Sequence, residues 1–410
     1  MKLLIAHNRY RYPGGEDQVF SREGALLRSA GHHVAEYVRD NREIAEHHVL
    51  NRLQVGMRTL WAWDSAHDLR KIVRRENPDL VHFHNTFPLI SPAAYYACKQ
   101  ESVPVVQSLH NPRFMCPAAT LARNGQACED CLGKTVPWPG IVHACYHNSR
   151  CQTAVVAGML TLHRFLGTWQ KHVDAYIVFT EFFRQKFIAA GLPPDKIFIK
   201  PHFLNKDPGV KQESGDYALF LGRLAPEKGV PILLKAWQSL RHIPLRIRGE
   251  GPLEEHVHQF KRSRPLVDIV PFLSQKECFE LIKGARFLVW PSAGYYETFG
   301  LVAIEAFACG TPVIASRSGG MQELVEDGHT GLHFEPDNAA DLAAKVKWAW
   351  SHPKEMKAMG EAGRREFLSK YTATHNLETL ERIYRRAIQG GAIQRDIPLA
   401  AHGQIERYSA

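Results

Sequence analysis

Twice along its 410 residues this sequence repeats one rhythm: a short strand-like run, a turn, then a segment with apolar residues at helical spacing. Strand–helix alternation of this kind constrains a chain to an α/β fold built on a mostly parallel sheet. In the first half the strand-like runs are Leu3–Ala6, His32–Val38, Asp79–His84, Val103–Leu109, Val173–Phe179 and Ile197–Ile199. In the second they are Tyr217–Leu221, Leu245–Arg248, Val267–Val270, Phe287–Trp290 and Pro312–Ala315. Between the halves the polar stretch at 206–216, KDPGVKQESGD, has no apolar periodicity and reads as a linker. The length suits two domains of ordinary size, split near residue 210.

Composition narrows the partners. A hydrophobic share of 45% with 23% charged residues is that of a globular protein with a substantial core. The net charge of +9 favours anionic ligands or an anionic membrane surface. With no basic tail and no nucleic-acid-binding motif, nucleic acid is not expected as a partner. The four apolar residues after Lys2 are too few for a signal-peptide core, and runs such as 154–160 are core-like, so a cytoplasmic protein is expected. Ser65 with Asp68 resembles a capping box opening a helix to Glu76. Its basic run Arg70, Lys71, Arg74 and Arg75 reads as a solvated face. The alternative, with Trp61 and Trp63 nearby, is a patch for the inner membrane face.

The strand ends carry the chemistry, because ligands of open α/β sheets lie outside the carboxyl ends of the strands. Gly14 and Gly15 follow the first strand in a turn that admits close backbone approach, at a spacing unlike the dinucleotide fingerprint. His84 with Asn85, and His110, end the third and fourth strands. The loop GRLAPEKG at 222–229 turns at Gly222 and sets Arg223 and Lys228 five residues apart. A bidentate donor and a point charge together suit a diphosphate. Gly249 and Gly251 form another close-approach turn. The stretch WPSAGYYETFGLVAIEAFACGTP at 290–312 then runs from a strand end through a loop into a helix closed by Gly310 and Pro312. Glu297 stands at that helix's mouth and Glu305 about two turns in. Thr298, Phe299 and Gly300 offer backbone N–H groups where an anion would sit. Acids beside an anion site suit a ligand with hydroxyls as well as phosphate.

Five of the eight cysteines crowd into 36 residues: Cys116, Cys128, Cys131, Cys145 and Cys151. The Cys128-x2-Cys131 pair with flanking single cysteines fits a structural zinc site that closes a loop with little core of its own. Cys116, Cys128, Cys131 and Cys145 form the expected set, with Cys151, His143 or His147 as substitutes. Reduced cysteines in a lid are the bland alternative. An iron–sulfur cluster shares the ligand type but not a spacing.

Glu297 and Glu305, separated by seven residues, with Phe-Gly behind the first and Ala behind the second, resemble the signature of glycosyltransferase family 4, the group 1 retaining glycosyltransferases. Gly-Arg-x4-Lys-Gly at 222–229 resembles that family's diphosphate loop. HNTFPLISP and SLHNPRFMCP look like a bacterial, polysaccharide-type subgroup. The resemblance implies a GT-B fold: a first, acceptor-side domain at 1–205 with a Cys-rich insertion at 112–151, and a nucleotide-sugar domain at 206–375. A helix at 376–392 would cross back onto the first domain, ahead of a loose tail at 393–410.

It further implies sugar transfer from a nucleotide-diphosphate donor to a hydroxyl, with retention, in cell-surface polysaccharide or glycolipid assembly. Arg223, Lys228, Glu297 and His110 would be the catalytic residues. Gly14, Gly15, Gly222, Gly251, Phe272, Leu273, Thr298, Phe299, Gly300 and Glu305 would bind donor, with Glu305 on the ribose and the segment at Phe272–Leu273 on the base. Glu16, His84 and Asn85 fall on the acceptor side, the acceptor itself being lipid-linked. The donor phosphate would take the acceptor proton, so no catalytic metal or other cofactor is expected; the sequence has no Asp-x-Asp motif. A sugar-nucleotide epimerase of the same fold and a non-catalytic nucleotide-sugar binder are the alternatives.

Overall fold

The strand-like runs become two six-stranded sheets in the computed structural model, which describes residues 1–11, 14–44, 49–210 and 215–390. The tail expected at 393–410, and part of the linker, lie outside the described residues. The first sheet holds β1 (Lys2–Arg9), β2 (His33–Asp40), β3 (Leu80–Asn85) and β4 (Val105–Ser108). After a separate antiparallel hairpin, β5 (Ala122–Arg123) and β6 (Gln126–Ala127), it resumes with β7 (Ala175–Val178) and β8 (Ile197–Ile199). Its order is β2-β1-β3-β4-β7-β8, and every pairing is parallel. The second sheet holds β9 (Tyr217–Leu221), β10 (Leu245–Arg248), β11 (Val267–Val270), β12 (Ala285–Trp290), β13 (Val313–Ser316) and β14 (Gly331–Phe334). Its order is β11-β10-β9-β12-β13-β14, again all parallel.

Strand order reverses between β1 and β3 in the first sheet and between β9 and β12 in the second. A crevice opens at such a switch point, outside the carboxyl ends of the strands. The turn at Gly14 follows β1 and His84 ends β3. The loop at 222–229 follows β9 and the loop at 291–300 follows β12. Topology therefore places all four sequence motifs at the two switch points.

Three apolar clusters fill the layers. One covers the outer face of the first sheet, through Val81, Phe83, Tyr95 and Tyr176. Another covers the outer face of the second, through Phe220, Leu233, Trp237 and Val346. The third is shared, joining Leu80, Val106 and Ile177 to Leu219, Ile304 and Phe307. The last helix, Ala373–Ile388, enters the shared core with Leu380, Ile383 and Tyr384 and lies against β3 and β4 of the first sheet. Its Tyr384 hydroxyl is 2.7 Å from His82 Nδ1. The two chain crossings between domains run side by side, with Leu204 N–H donating to Tyr371 O at 3.1 Å. Lys200 and Glu23, both fully buried, form an ion pair beside this junction.

Four elements differ from the sequence expectation. β14 reads in sequence as a turn, since it opens on Gly331; a Cβ there would lie 2.0 Å from Val313 O of β13, so only glycine lets the strand dock. Helix Pro353–Lys370 is masked in the sequence by Gly360 and Gly363, poor helix formers that pack instead against Gly310 O and the Phe307 ring. Ser65 is no cap: the helix begins at Trp63, and the Ser65 hydroxyl donates to Leu89 O at 2.7 Å. Residues 152–172 read in sequence as one helix, but that helix ends at Phe165, and Gly167, with a φ of 66°, starts a separate turn. Among the described residues no helix is long and apolar enough to cross a membrane.

Candidate active site

The loop after β9 and the loop after β12 are pressed together. A Cβ on Gly229 would fall 1.7 Å from Pro291 O, and Ala293 N–H donates to Glu227 O at 3.1 Å. This contact delivers Lys228 to Glu297. The ammonium lies 2.8 and 2.9 Å from the two carboxylate oxygens and 2.7 Å from the Tyr295 hydroxyl. Ser292 donates to the same carboxylate at 3.0 Å, and Tyr295 does so as well. Burial pushes the Glu297 carboxyl upward, but the Lys228 charge and these donors outweigh it, so Glu297 is held below its ordinary range as a carboxylate. Arg223, 62% exposed, pairs with Glu227 on the same loop.

Behind Glu297 the helix Leu301–Ala308 starts without a side-chain cap, so its first N–H groups are left for a ligand or water. Gly300, with a φ of 111°, is obligatory there, since a Cβ would strike the Trp290 ring at 2.1 Å. Phe299 is buried against His202, with ring centroids 5.0 Å apart, and can serve a ligand only through its backbone. On the helix, Ala303, Ile304, Ala306 and Phe307 face the core while Leu301, Val302 and Glu305 are half-buried. Burial lifts the Glu305 carboxyl to about 7, with Arg22 pulling the other way. Arg22 comes from the first-domain helix Gly15–Ser29 and was not singled out in the sequence; its Nη1 is buried without a hydrogen bond. The charge of Arg22 thus reaches Glu305 from the first domain.

Phe272 is 77% exposed, with the Arg248 guanidinium 5.1 Å above its ring, while Leu273 packs against the shared core. Arg248, also missed in the sequence, ends β10 and has a buried Nε without a partner. Gly251 presses on the backbone of Leu224, and Gly222 donates to Arg248 O at 3.1 Å. The predicted donor residues that follow β9 and β12 thus meet at the second switch point, and Phe272, after β11, is linked to them through Arg248 of β10.

The first domain departs further from expectation. His110 is buried, with Nε2 3.1 Å from His84 Nδ1 and its ring stacked near Phe179 and His202. Burial holds both histidines well below the usual imidazole range, hence neutral. His84 and Asn85 are not offered to an acceptor. His84 sits between Phe20, His82 and His110, and the Asn85 amide donates to Asn8 O and accepts from Phe87 N–H. What the first switch point does present is Glu16, which accepts from Tyr10 at 2.9 Å and Asn111 at 2.7 Å. Burial, ahead of those donors, raises its carboxyl above the ordinary value. Gly15 has open space where a Cβ would stand, and Gly14 N–H caps onto Asp17 at 2.7 Å. Tyr10 and Asn111 were legible as strand-end residues, one after β1 and one after His110.

Among the described residues, one set of three metal-ligand types lies within 4.8 Å of one another: Glu23, His82 and His84. The Lys200 ammonium already sits on Glu23, and Ser108 and Tyr384 engage both His82 nitrogens, so the cation of this cluster is the lysine. Cys116, Cys128, Cys131 and Cys145 are free thiols lining one small cavity.

Residues 13–207 match the family model of Glycosyltransferase Family 4, and residues 203–366 match that of Glycosyl transferases group 1. An uncharacterized glycosyltransferase of Methanocaldococcus jannaschii is 34% identical over 184 residues, covering 43% of this chain and 51% of that protein. A glycogen synthase of Mycobacterium tuberculosis is 33% identical over 197 residues, covering 46% of this chain and 47% of that one. The chain thus spans about half the length of the curated relatives it matches. Among solved structures, the Anabaena protein HepE in complex with UDP has a TM-score of 0.68 at 17% identity, covering 94% of this chain and 100% of that one. HepE is also known in complex with UDP-glucose.

Proposed function

This chain belongs to the group 1, family 4-type glycosyltransferases of GT-B fold, and on that premise we propose that it moves a sugar from a nucleotide-diphosphate donor to a hydroxyl, with retention at the anomeric carbon. The observation that carries this reading is Lys228 fixed on Glu297 at the uncapped mouth of helix Leu301–Ala308, with Arg223 on the same loop and Glu305 further along the helix. Departure of the nucleoside diphosphate develops negative charge on its terminal phosphate. Arg223, Lys228 and the helix N–H groups offer positive charge and donors to it before it forms, the term that is often largest in catalysis. Glu297, held ionised, accepts hydroxyls of the donor sugar, and Glu305 accepts from the ribose. Phe272 under Arg248 is a platform for the base. The departing phosphate oxygen takes the acceptor proton, so the reaction needs neither a dedicated base nor a catalytic metal. His110, buried among rings, acts by shaping the donor-sugar pocket.

On the acceptor side the reading is a lipid-linked hydroxyl at an anionic membrane surface, reached by Glu16, Tyr10 and Asn111. The supporting observation is an apolar groove of about 520 Å³ lined by Val136, Ile141, Leu162 and Phe165, in a protein of net charge +9. Phe165 is 86% exposed, and Trp138 and Val142 are exposed nearby. In the basic run at 70–75, Arg70 and Arg74 share Glu101 and Arg75 pairs with Glu76, so part of its charge is met within the fold.

The test is incubation with a panel of nucleotide sugars, with and without lipid-linked acceptor. Nucleoside diphosphate release should depend on acceptor, and the product should keep the donor's anomeric configuration. Release of free sugar or epimer without acceptor would instead identify an epimerase. No turnover with any donor, alongside tight nucleotide binding, would identify a non-catalytic binder.

A further inference from the structure

We propose that Cys116, Cys128, Cys131 and Cys145 bind one zinc ion, and that the metal fixes the segment between β4 and β7 as a strut from the first domain onto the β12 loop of the second. Four thiols reach one cavity from three turns of chain. Cys128 leaves the hairpin β5–β6, its N–H donating to Leu121 O at 2.8 Å. Cys131 follows three residues later, ahead of Gly133 with a φ of 71°. Cys145 N–H donates to Gly140 O at 3.0 Å, and Gly140 in turn packs 3.6 Å from the Cys131 sulfur, measured from where a Cβ would stand. Cys151 is exposed, and it does not line the cavity; nor do His143 and His147. The structure therefore selects one quartet from the candidates that the sequence leaves open.

The segment has little else to hold it. Between Met115 and Ser149 its regular structure is two two-residue strands and one five-residue helix. Besides the buried prolines Pro117, Pro137 and Pro139, its buried apolar residues are Met115, Cys116, Leu121 and Cys131, two of them members of the quartet. Six of the ten non-glycine residues with positive φ among those described lie here: Ala119, Leu121, Asn124, Ala144, His147 and Asn148. Such conformations persist only where surrounding structure over-determines them, and a tetrahedral thiolate site does that for a loop without a core. No three of the sulfurs close to within 4.8 Å of one another, so the ion must draw them inward. A zinc ion is held by thiolates, so binding to the quartet releases protons.

The strut has a footing. At the hairpin tip Gly125 O lies 2.2 Å from where a Cβ on Gly294 would stand, three residues before Glu297. Farther along, Glu129 pairs with Lys186 at 2.6 Å, and the Lys186 ammonium lies 5.6 Å from the centroid of the Tyr296 ring. Ordering the quartet thus orders one wall of the second domain's loop.

The experiment is elemental analysis of the full chain purified from zinc-supplemented medium, with thiol accessibility and limited proteolysis read in parallel. About one zinc per chain is expected. Cys128→Ser and Cys131→Ser should lose it, Cys151→Ser should keep it, and Cys145→His, a ligand-conserving change, should keep it as well. A chelator strong enough to strip the ion should expose four more reactive thiols and open a cleavage site between residues 116 and 145. Should the serine variants fail to fold, the Cys151→Ser and Cys145→His proteins and the stripped wild type decide the matter. Less than about a tenth of an equivalent of zinc in the wild type, iron in its place, or equal loss of metal in Cys151→Ser overturns the assignment. Metal without any change in cleavage on stripping overturns the strut.

Discussion

Lys228→Ala is the substitution that most directly interrogates the site. Lys228 makes three short contacts, two to Glu297 and one to Tyr295, so it has two separable roles: charge for the diphosphate, and anchor for an acid. Loss of one preorganised charge aimed at a developing anion costs about 2.7–4 kcal/mol, roughly 10²–10³ in kcat. Loss of the anchor leaves Glu297 with Tyr295 and Ser292 alone, and its carboxyl, now raised by burial without the cation, costs about 1–3 kcal/mol more in stability or sugar binding. A double-mutant cycle with Glu297→Gln separates the two. If Lys228 acts on the leaving group, Lys228→Ala still lowers kcat about 10²-fold in the Glu297→Gln background. The assay is nucleoside diphosphate release at saturating donor, with a melting curve on each variant to confirm folding. If Lys228→Ala has no further effect once Glu297 is neutral, the lysine is only an anchor and the electrostatic reasoning fails.

Three further outcomes follow from the same geometry. Glu305, lifted to about 7, must ionise to accept ribose hydroxyls, so donor affinity should weaken about tenfold between pH 8 and pH 6. Glu305→Gln should bind weakly but flatly across that range, and a wild-type profile equally flat refutes the ribose role. Because this carboxyl titrates higher folded than unfolded, its stabilising contribution is full below about pH 4.5 and is lost as pH rises through 7; the sign can be checked by urea melts of wild type and Glu305→Gln. Lys200→Met strands the buried Glu23 carboxylate and should cost about 3–5 kcal/mol in urea unfolding, much of it recovered by adding Glu23→Gln; a cost below about 1 kcal/mol would mean water reaches the pair. Gly222→Ala, whose Cβ would make only an ordinary contact with the Phe220 ring at 3.7 Å, should melt like wild type while binding donor less well. Gly300→Ala, facing Trp290 at positive φ, should lose about 1–3 kcal/mol of stability; equal melting of the two variants contradicts the packing argument.

Local sequence carried much of this protein. Apolar runs located eleven of the twelve strands of the two sheets, since a buried strand must be apolar whatever its neighbours are. The loop at 222–229 and the pair Glu297 and Glu305 were readable because backbone turns and charges at fixed spacing are properties of a few adjacent residues. What tertiary structure alone decided is adjacency between distant segments. Strand order set β9 beside β12, and so brought Lys228 to a carboxylate 69 residues away. Docking of Phe299 and of the last helix turned His84 and His110 from strand-end candidates into members, with His82, of a buried neutral cluster. The same docking brought the charge of Arg22 to bear on Glu305. β14 and the helix Pro353–Lys370 stayed hidden for a related reason: their glycines are selected for the space that another segment occupies, and that space does not exist until the chain has folded.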